Sequence, residues 1–188
     1  MPSLSETKQP TDWLPADGIY SAAEGSGGSY RDPIHGFFEL QPPAGFQIVE
    51  KRDKSRLAIT QGPGAGTTVP RSWIVLRAEN TDIGVIARTT FSPFEDDFQV
   101  VLNGLREKLG SAAIDRHRFI TIDGVKGGEI LATAQNMRIL AIKYKKGGLD
   151  HAITITCPAA EFPKRAETFV GLLRSYRGLD AQHSARSP

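Results

Sequence analysis

The 188 residues contain one cysteine, Cys157, so no disulfide can staple the chain internally. That leaves the compartment open, because many periplasmic proteins also lack disulfides. Neither sign of charge dominates: 23 basic residues against 21 acidic ones leave a net charge of +2. The balance gives no electrostatic case for a nucleic acid or a membrane surface as partner. No apolar run approaches the ~20 residues that a membrane-spanning helix needs. The opening MPSLSETKQP has neither a basic n-region nor an apolar h-region, so it does not read as a signal peptide. The expectation is a cytoplasmic protein without a membrane span, or a periplasmic or lumenal one if the chain is a mature form. A hydrophobic fraction of 39% is low for a tightly globular chain and implies that part of it does not pack.

That part is expected at the ends. Residues 1–29 carry Pro2, Pro10 and Pro15 and close on the run Glu24-Gly25-Ser26-Gly27-Gly28-Ser29, which has the composition of a flexible linker. Within this tail stand Trp13-Leu14 and Ile19-Tyr20. The tryptophan is either a docking group for a partner or a latch on the domain itself. Residues 179–188 read as a polar C-terminal tail. The folded unit expected is 30–178.

Inside it, four strands follow one another at 118–122, 128–134, 137–144 and 152–157. Asp123-Gly124, Gln135-Asn136 and residues 145–150 separate them. Links this short join only antiparallel neighbours, so the stretch is a meander. Earlier strands are expected at 37–41, 47–50, 57–61, 72–79 and 83–90. Ser92-Pro93-Phe94-Glu95 predicts a helix start, with Ser92 as cap and Pro93 in the first turn. Phe94, Phe98, Val101, Leu102, Leu105 and Leu109 then form one apolar stripe, ended by Gly110. A second helix is expected over 164–175, facing inward with Phe162, Ala166, Phe169, Leu172, Leu173 and Tyr176. The meander strands are apolar on both faces: Leu140, Ile142 and Tyr144 oppose Met137, Ile139 and Ala141. A sheet with one wet face would alternate cleanly. Two covered faces and two helices predict an α+β fold, a three-layer α/β/α sandwich around an antiparallel sheet.

Three segments resemble the PsbP/Mog1-like fold family. They are Tyr30-Arg31-Asp32 with Gly36-Phe37-Phe38-Glu39-Leu40 and Pro43-Ala44-Gly45-Phe46; Phe119-Ile120-Thr121-Ile122-Asp123-Gly124; and Glu161-Phe162, Phe169 and Leu172-Leu173-Arg174-Ser175-Tyr176-Arg177. Together they span about residues 30–178. Phe46 stands where the family more commonly has tryptophan. The resemblance implies a protein that acts by binding and by supporting assemblies, with no shared catalytic apparatus. It transfers no site residue, because no metal-binding or partner-binding motif of the family is matched here.

The residues add little chemistry of their own. Gly62-Pro63-Gly64-Ala65-Gly66-Thr67-Thr68 has the glycines of a phosphate loop, but Thr67 stands where the lysine belongs and no helix follows Val69-Pro70. His151 and Cys157 share a strand six residues apart, roughly 20 Å, which excludes a dyad. Asp115 and His117, with His35, offer too few ligands for a metal site. Glu95, Asp96 and Asp97 suit a helix N-terminus. No cofactor and no catalytic group is expected. The basic residues Arg138, Lys143, Lys145, Lys146, Arg116, Arg118, Arg106 and Lys108 read as a solvated edge that discourages sheet-to-sheet association, or as a contact for an acidic protein surface. The expected function is a non-enzymatic accessory module that binds a protein partner through Trp13, Arg71, Lys143, Lys145 and Lys146. The alternative is a ligand-binding or enzymatic domain with a cleft between sheet and helix.

Overall fold

The structure, a computed structural model, describes residues 13–20 and 28–180. Most of the Gly/Ser linker and the last eight residues of the C-terminal tail lie outside the described residues. The elements in chain order are β1 (Ile19–Tyr20), β2 (Tyr30–Arg31), β3 (Phe38–Leu40), β4 (Gln47–Glu50), β5 (Arg56–Ala58), β6 (Thr68–Ala78), β7 (Thr81–Thr89) and α1 (Phe94–Leu109). They continue with β8 (Ile114–Ile122), β9 (Val125–Ala134), β10 (Met137–Lys146), β11 (Leu149–Pro158), α2 (Phe162–Ser175) and β12 (Arg177–Gly178).

The meander forms because its turns have the right chemistry. Asp123-Gly124, Gln135-Asn136 and Gly147-Gly148 all take positive φ, between 51° and 76°. Paired positive φ values are the signature of the two-residue turn whose twist matches a hairpin. The last of these turns is tighter than expected: Lys145 and Lys146 belong to β10, and only the two glycines leave the ladder.

The main sheet has the order β1-β8-β9-β10-β11-β7-β6-β4, with β5 also pairing along β6. β1 runs parallel to β8, and the other pairs are antiparallel. A small sheet, β12-β3-β2, lies apart from it. Side-chain alternation divides the main sheet into two faces. On one face Leu140, Ile142, Ile153, Ile155, Ile83, Val85, Ile74 and Leu76 meet Phe162, Phe169 and Leu173 of α2, with Phe38 and Leu40 of the small sheet. On the other, Phe98 and Leu102 of α1 close on Ile130, edged by Ile114 and Ala141. Gly128 makes room there, since a Cβ at that position would overlap the Phe98 ring. The three layers are therefore as expected but unequal.

Two expectations need correcting. The first helix is not capped by Ser92: Pro93 occupies the cap position, no side chain caps the free amides, and the Ser92 carbonyl instead accepts from Lys145. The domain also does not begin at Tyr30. Leu14 and Tyr20 are buried in the main core, and β1 extends the sheet beside β8. The Tyr20 hydroxyl donates to Oε2 of the fully buried Glu129 at 2.5 Å. Arg116 and Arg118 both bind the other oxygen of Glu129, at 2.7 and 2.9 Å. Arg118 also donates to the carbonyls of Pro15 and Ala16. Burial, with the Glu129 charge next to it, pushes the Tyr20 hydroxyl well above its usual range, so it stays a neutral donor.

Residues 13–20 are thus part of the fold. Tyr20→Ala removes a wholly buried aromatic ring and leaves a cavity, and is expected to cost about 3–5 kcal/mol in urea unfolding. A loss below ~1 kcal/mol would mean that this segment does not hold its place in solution.

Candidate functional site

A single helix cannot span the face on which α1 lies. α1 covers β9 and β10, and among the described residues no element covers the same face of β11, β7 and β6. The registers set the residues there in rows running across the strands. Lys145, Asp150, Arg88 and Arg71 form one row, then Lys143, Ala152, Ile86 and Trp73. Ala141, Thr154, Gly84 and Val75 come next, followed by Ile139, Thr156, Asp82 and Arg77. The open part of these rows, with the short 3-10 turn Arg52–Lys54 as a bank beside Trp73, forms a groove of about 560 Å³. Its floor is shallowest in side chain at Gly84 and Ala152 and most apolar at Trp73, Val75 and Ile86.

The two ends of the groove differ in charge. At one end Arg77 and Asp82 form a two-pronged pair at 2.6 and 2.9 Å, which is internally neutral. The bond from the guanidinium holds the Asp82 carboxyl below its usual range. At the other end Arg71 and Lys54 both stand over the Trp73 ring, 5.3 and 5.0 Å from its centre. Arg71 also donates to the Lys54 carbonyl. Lys51 lies beside them, its amide bonded to the Trp73 carbonyl. Among the described residues, no carboxylate pairs with Lys51, Lys54 or Arg71. Arg88 reaches Asp150 at 3.4 Å, but Asp150 is already held by Lys143 at 2.6 Å. Asp53 is the acidic group on this rim.

Of the residues expected to meet a partner, Arg71 is at this groove. Lys143 is not available: its side chain is 9% exposed and its amine is spent on Asp150, itself 3% exposed. Parity puts it on the α1 face with Ile139 and Ala141, so it points inward rather than along an edge. Lys145 is tied to Asp97 at 2.8 Å and to the Thr90 hydroxyl, and so anchors the start of α1. Lys146 lies against Asp123 at 2.9 Å, at the turn between β8 and β9. Arg116, Arg118 and Arg138 are likewise engaged internally, with Glu129 and Thr133. Lys143, Lys145, Lys146, Arg116, Arg118 and Arg138 therefore do not merge into a solvated edge. Trp13 is half-buried against the main core, next to a hollow it shares with Pro163, Val170 and Arg174 of the α2 region, in the position of a latch on its own domain.

The other candidates stay apart. Thr67 closes a tight turn onto the Gly64 carbonyl, and β6 rather than a helix follows it. Asp115, on β8, accepts from the Thr133 hydroxyl of β9, whereas His35 bonds the Ser55 carbonyl beside β5. Among the described residues, no group of His, Cys, Asp or Glu could hold a metal ion. The space between α1 and the sheet is filled by Phe98, Leu102 and Ile130.

A buried polar row crosses the opposite face. Ser72, Ala87, His151, Tyr144 and Gly127 lie in register over five strands. Asp32 receives the Ser72 hydroxyl and the amides of Ile34, His35 and Phe37. His151 stacks on Tyr144 at 4.8 Å and binds the Tyr176 hydroxyl through Nδ1 at 2.9 Å. Its Nε2 is buried without a partner and faces Gly178, where a Cβ would come within 2.6 Å. Cys157 lies further along β11, buried, with its thiol pushed up to about 11 chiefly by desolvation. These residues are parts of the core.

The architecture is that of a PsbP-like α+β sandwich. In particular, the chain is similar to cyanobacterial PsbP (CyanoP) from Synechocystis sp. PCC 6803. The solution structure of that protein superposes with a TM-score of 0.51 at 14% identity, over 80% of this chain and 91% of that one. At this identity the likeness speaks for the fold. No family model matches the chain, and no curated protein matches it in sequence. Among the described residues, no helix is long and apolar enough to cross a membrane.

His151 makes the core sensitive to acid. Burial, with Lys146 and Lys143 adding to it, lowers its pKa from 6.5 to about 3. Once unfolded, the imidazole takes up a proton below about 6.5, and the folded state cannot follow until about 3. Its contribution to stability is therefore complete above about pH 6.5 and is lost as the pH falls, by ~1.4 kcal/mol per pH unit. Urea unfolding at about pH 7 and about pH 5 should differ by about 2 kcal/mol on this account, and His151→Gln should lose that share. Equal slopes in both proteins would show that the imidazole is not held neutral.

Proposed function

We propose that this chain is a non-enzymatic accessory module that binds a partner protein through the open half of its sheet, with Arg71 at the basic end of the groove. The observation that carries this reading is the sheet face itself. Trp73, Val75, Ile86, Gly84 and Ala152 form a connected, largely apolar floor that α1 does not cover. A helical or globular partner gains by covering such a floor. The PsbP/Mog1-like resemblance supports it, because it implies proteins that act by binding and by supporting assemblies. The lysines and arginines outside the groove add support of another kind. Lys143, Lys145, Lys146, Arg116 and Arg118 are consumed within the domain, whereas Lys51, Lys54 and Arg71 at the groove have no carboxylate partner among the described residues.

The test is a photocrosslinking residue placed at Thr154, which is exposed on the groove floor, with Val100 on the outer side of α1 as control, 70% exposed. In cells of the native host, Thr154 should yield a discrete protein adduct and Val100 should not. No adduct from Thr154, or the same adducts from both positions, would remove this reading.

A further inference from the structure

We propose that what the groove receives is one amphipathic helix of the partner. It would lie beside α1, run in the same direction, and bring an acidic first turn to Arg71, Lys54 and Arg88. This deepens the partner-binding reading above and rests on it.

A sheet face takes helices, whereas strands are added at edges. The dimensions of the groove fit one helix. Three strands at a spacing of ~4.8 Å make a floor roughly 10 Å wide, close to the diameter of a helix with its side chains. From Arg71 to Arg77 the floor runs for about 20 Å, the length of a helix of about thirteen residues. Gly84 and Ala152 lie near the middle, where a helix axis passes closest to the sheet.

The direction follows from charge, and α1 supplies the precedent. α1 lies on the neighbouring half of the same face, and its first turn carries Glu95, Asp96 and Asp97. Asp97 pairs with Lys145 at 2.8 Å and Glu95 with Lys126 at 3.2 Å. Lys145 begins the row that continues across the sheet through Asp150 and Arg88 to Arg71. The α1 half of that row is answered by an acidic helix start. On the open half, Arg71 and the adjoining Lys51 and Lys54 have no carboxylate partner among the described residues, and Arg88 shares Asp150 with Lys143. Asp53 offsets only one of these charges. Cations facing a bare helix N-terminus would be repelled by its dipole, and carboxylates in the first turn reverse the sign. The far end, closed by the Arg77–Asp82 pair, offers no net charge and so does not compete for the acidic turn.

The probe is a synthetic, hydrocarbon-stapled helix of about fifteen residues with three glutamates in its first turn and a Leu/Ala stripe along one side. The control peptide has the same composition with the glutamates moved to the last turn. Amide and indole NMR shifts of the full chain are followed on titration. Expected are saturable shifts at Gly84, Ala152, Thr154 and the Trp73 indole, with binding weakened about tenfold or more in the control peptide and in the Lys51→Glu/Lys54→Glu variant. Gly84→Leu provides a second variant, which fills the floor where an added Cβ meets only the Thr154 carbonyl oxygen at 4.0 Å. It should weaken binding while the shifts outside the groove stay in place. The proposal is overturned by an absence of shifts, by shifts confined to other surfaces, by equal binding of the two peptides, or by an adduct at Thr154 that proves to be a second copy of the chain. A partner adduct at Thr154 with no response to the peptides would leave the accessory role standing and remove the helix. Peptide binding without any adduct in cells would remove the partner-binding reading and this inference with it, leaving only a groove able to hold a synthetic helix.

Discussion

The Asp123 carboxylate holds the two ends of this domain together. It sits in the positive-φ turn between β8 and β9, 8% exposed. It accepts the Gly178 amide at 2.8 Å and the Tyr144 hydroxyl at 3.3 Å, with Lys146 at 2.9 Å and Arg177 at 3.8 Å to balance its charge. Fixing Gly178 and Arg177 fixes β12, which pairs Arg177 with Glu39 of β3. That in turn sets Tyr176 between Phe38 and the Tyr144–His151 stack. At the same junction Ser175 receives the amide of Gln41, tying the end of α2 to the chain after β3. A buried carboxylate is costly unless it is both paired and hydrogen-bonded. Here it is both, and the groups that satisfy it come from two separated parts of the sequence, Tyr144 with Lys146 and Arg177 with Gly178.

This explains why three weak motifs could carry a resemblance across the whole domain. The aspartate of the first motif, Asp32, closes its own turn and binds Ser72. The aspartate of the second is the clamp. The Ser-Tyr-Arg end of the third supplies Ser175, Tyr176 and Arg177. Each motif looks like a turn or packing signal when read alone, and in space they are the parts of one joint.

What was legible follows from what is local. The hairpins were readable because their turns demand Asp, Asn or Gly, and the faces were readable because alternation is a property of consecutive residues. Phe98 and Leu102 on α1 and Phe169 and Leu173 on α2 show up as stripes for the same reason. Tyr20 was not legible: its hydroxyl meets Glu129 across 109 residues, and nothing in the polar composition around it marks that contact. The basic residues misled for a related reason. Lys143 could have been placed by its parity with Ile139 and Ala141, but its partner Asp150 becomes apparent only once the Gly147-Gly148 turn is known to take just two residues. The groove was hidden as well, because it is defined by where α1 stops, and the lateral reach of a helix over a sheet is not written in its own stripe.

That reach also decides how the domain can act. A sixteen-residue helix is ~24 Å long but covers a width of only about 10 Å, while the sheet beneath it is about twice as wide or more. On the other face α2 has help from the small sheet and from Leu14, so that face closes completely. On the α1 face no second element arrives among the described residues. Thr154, Thr156 and the Arg77–Asp82 pair keep the bare half polar enough to stay in water. The ladder hydrogen bonds of β11, β7 and β6 are already complete between the strands. A partner on this face would therefore add side-chain contacts without breaking any backbone bond of the domain. Binding and folding would then be uncoupled: the clamp at Asp123 and the Glu129 network hold the sandwich together, and the proposed partner would engage the open half-sheet without disturbing either.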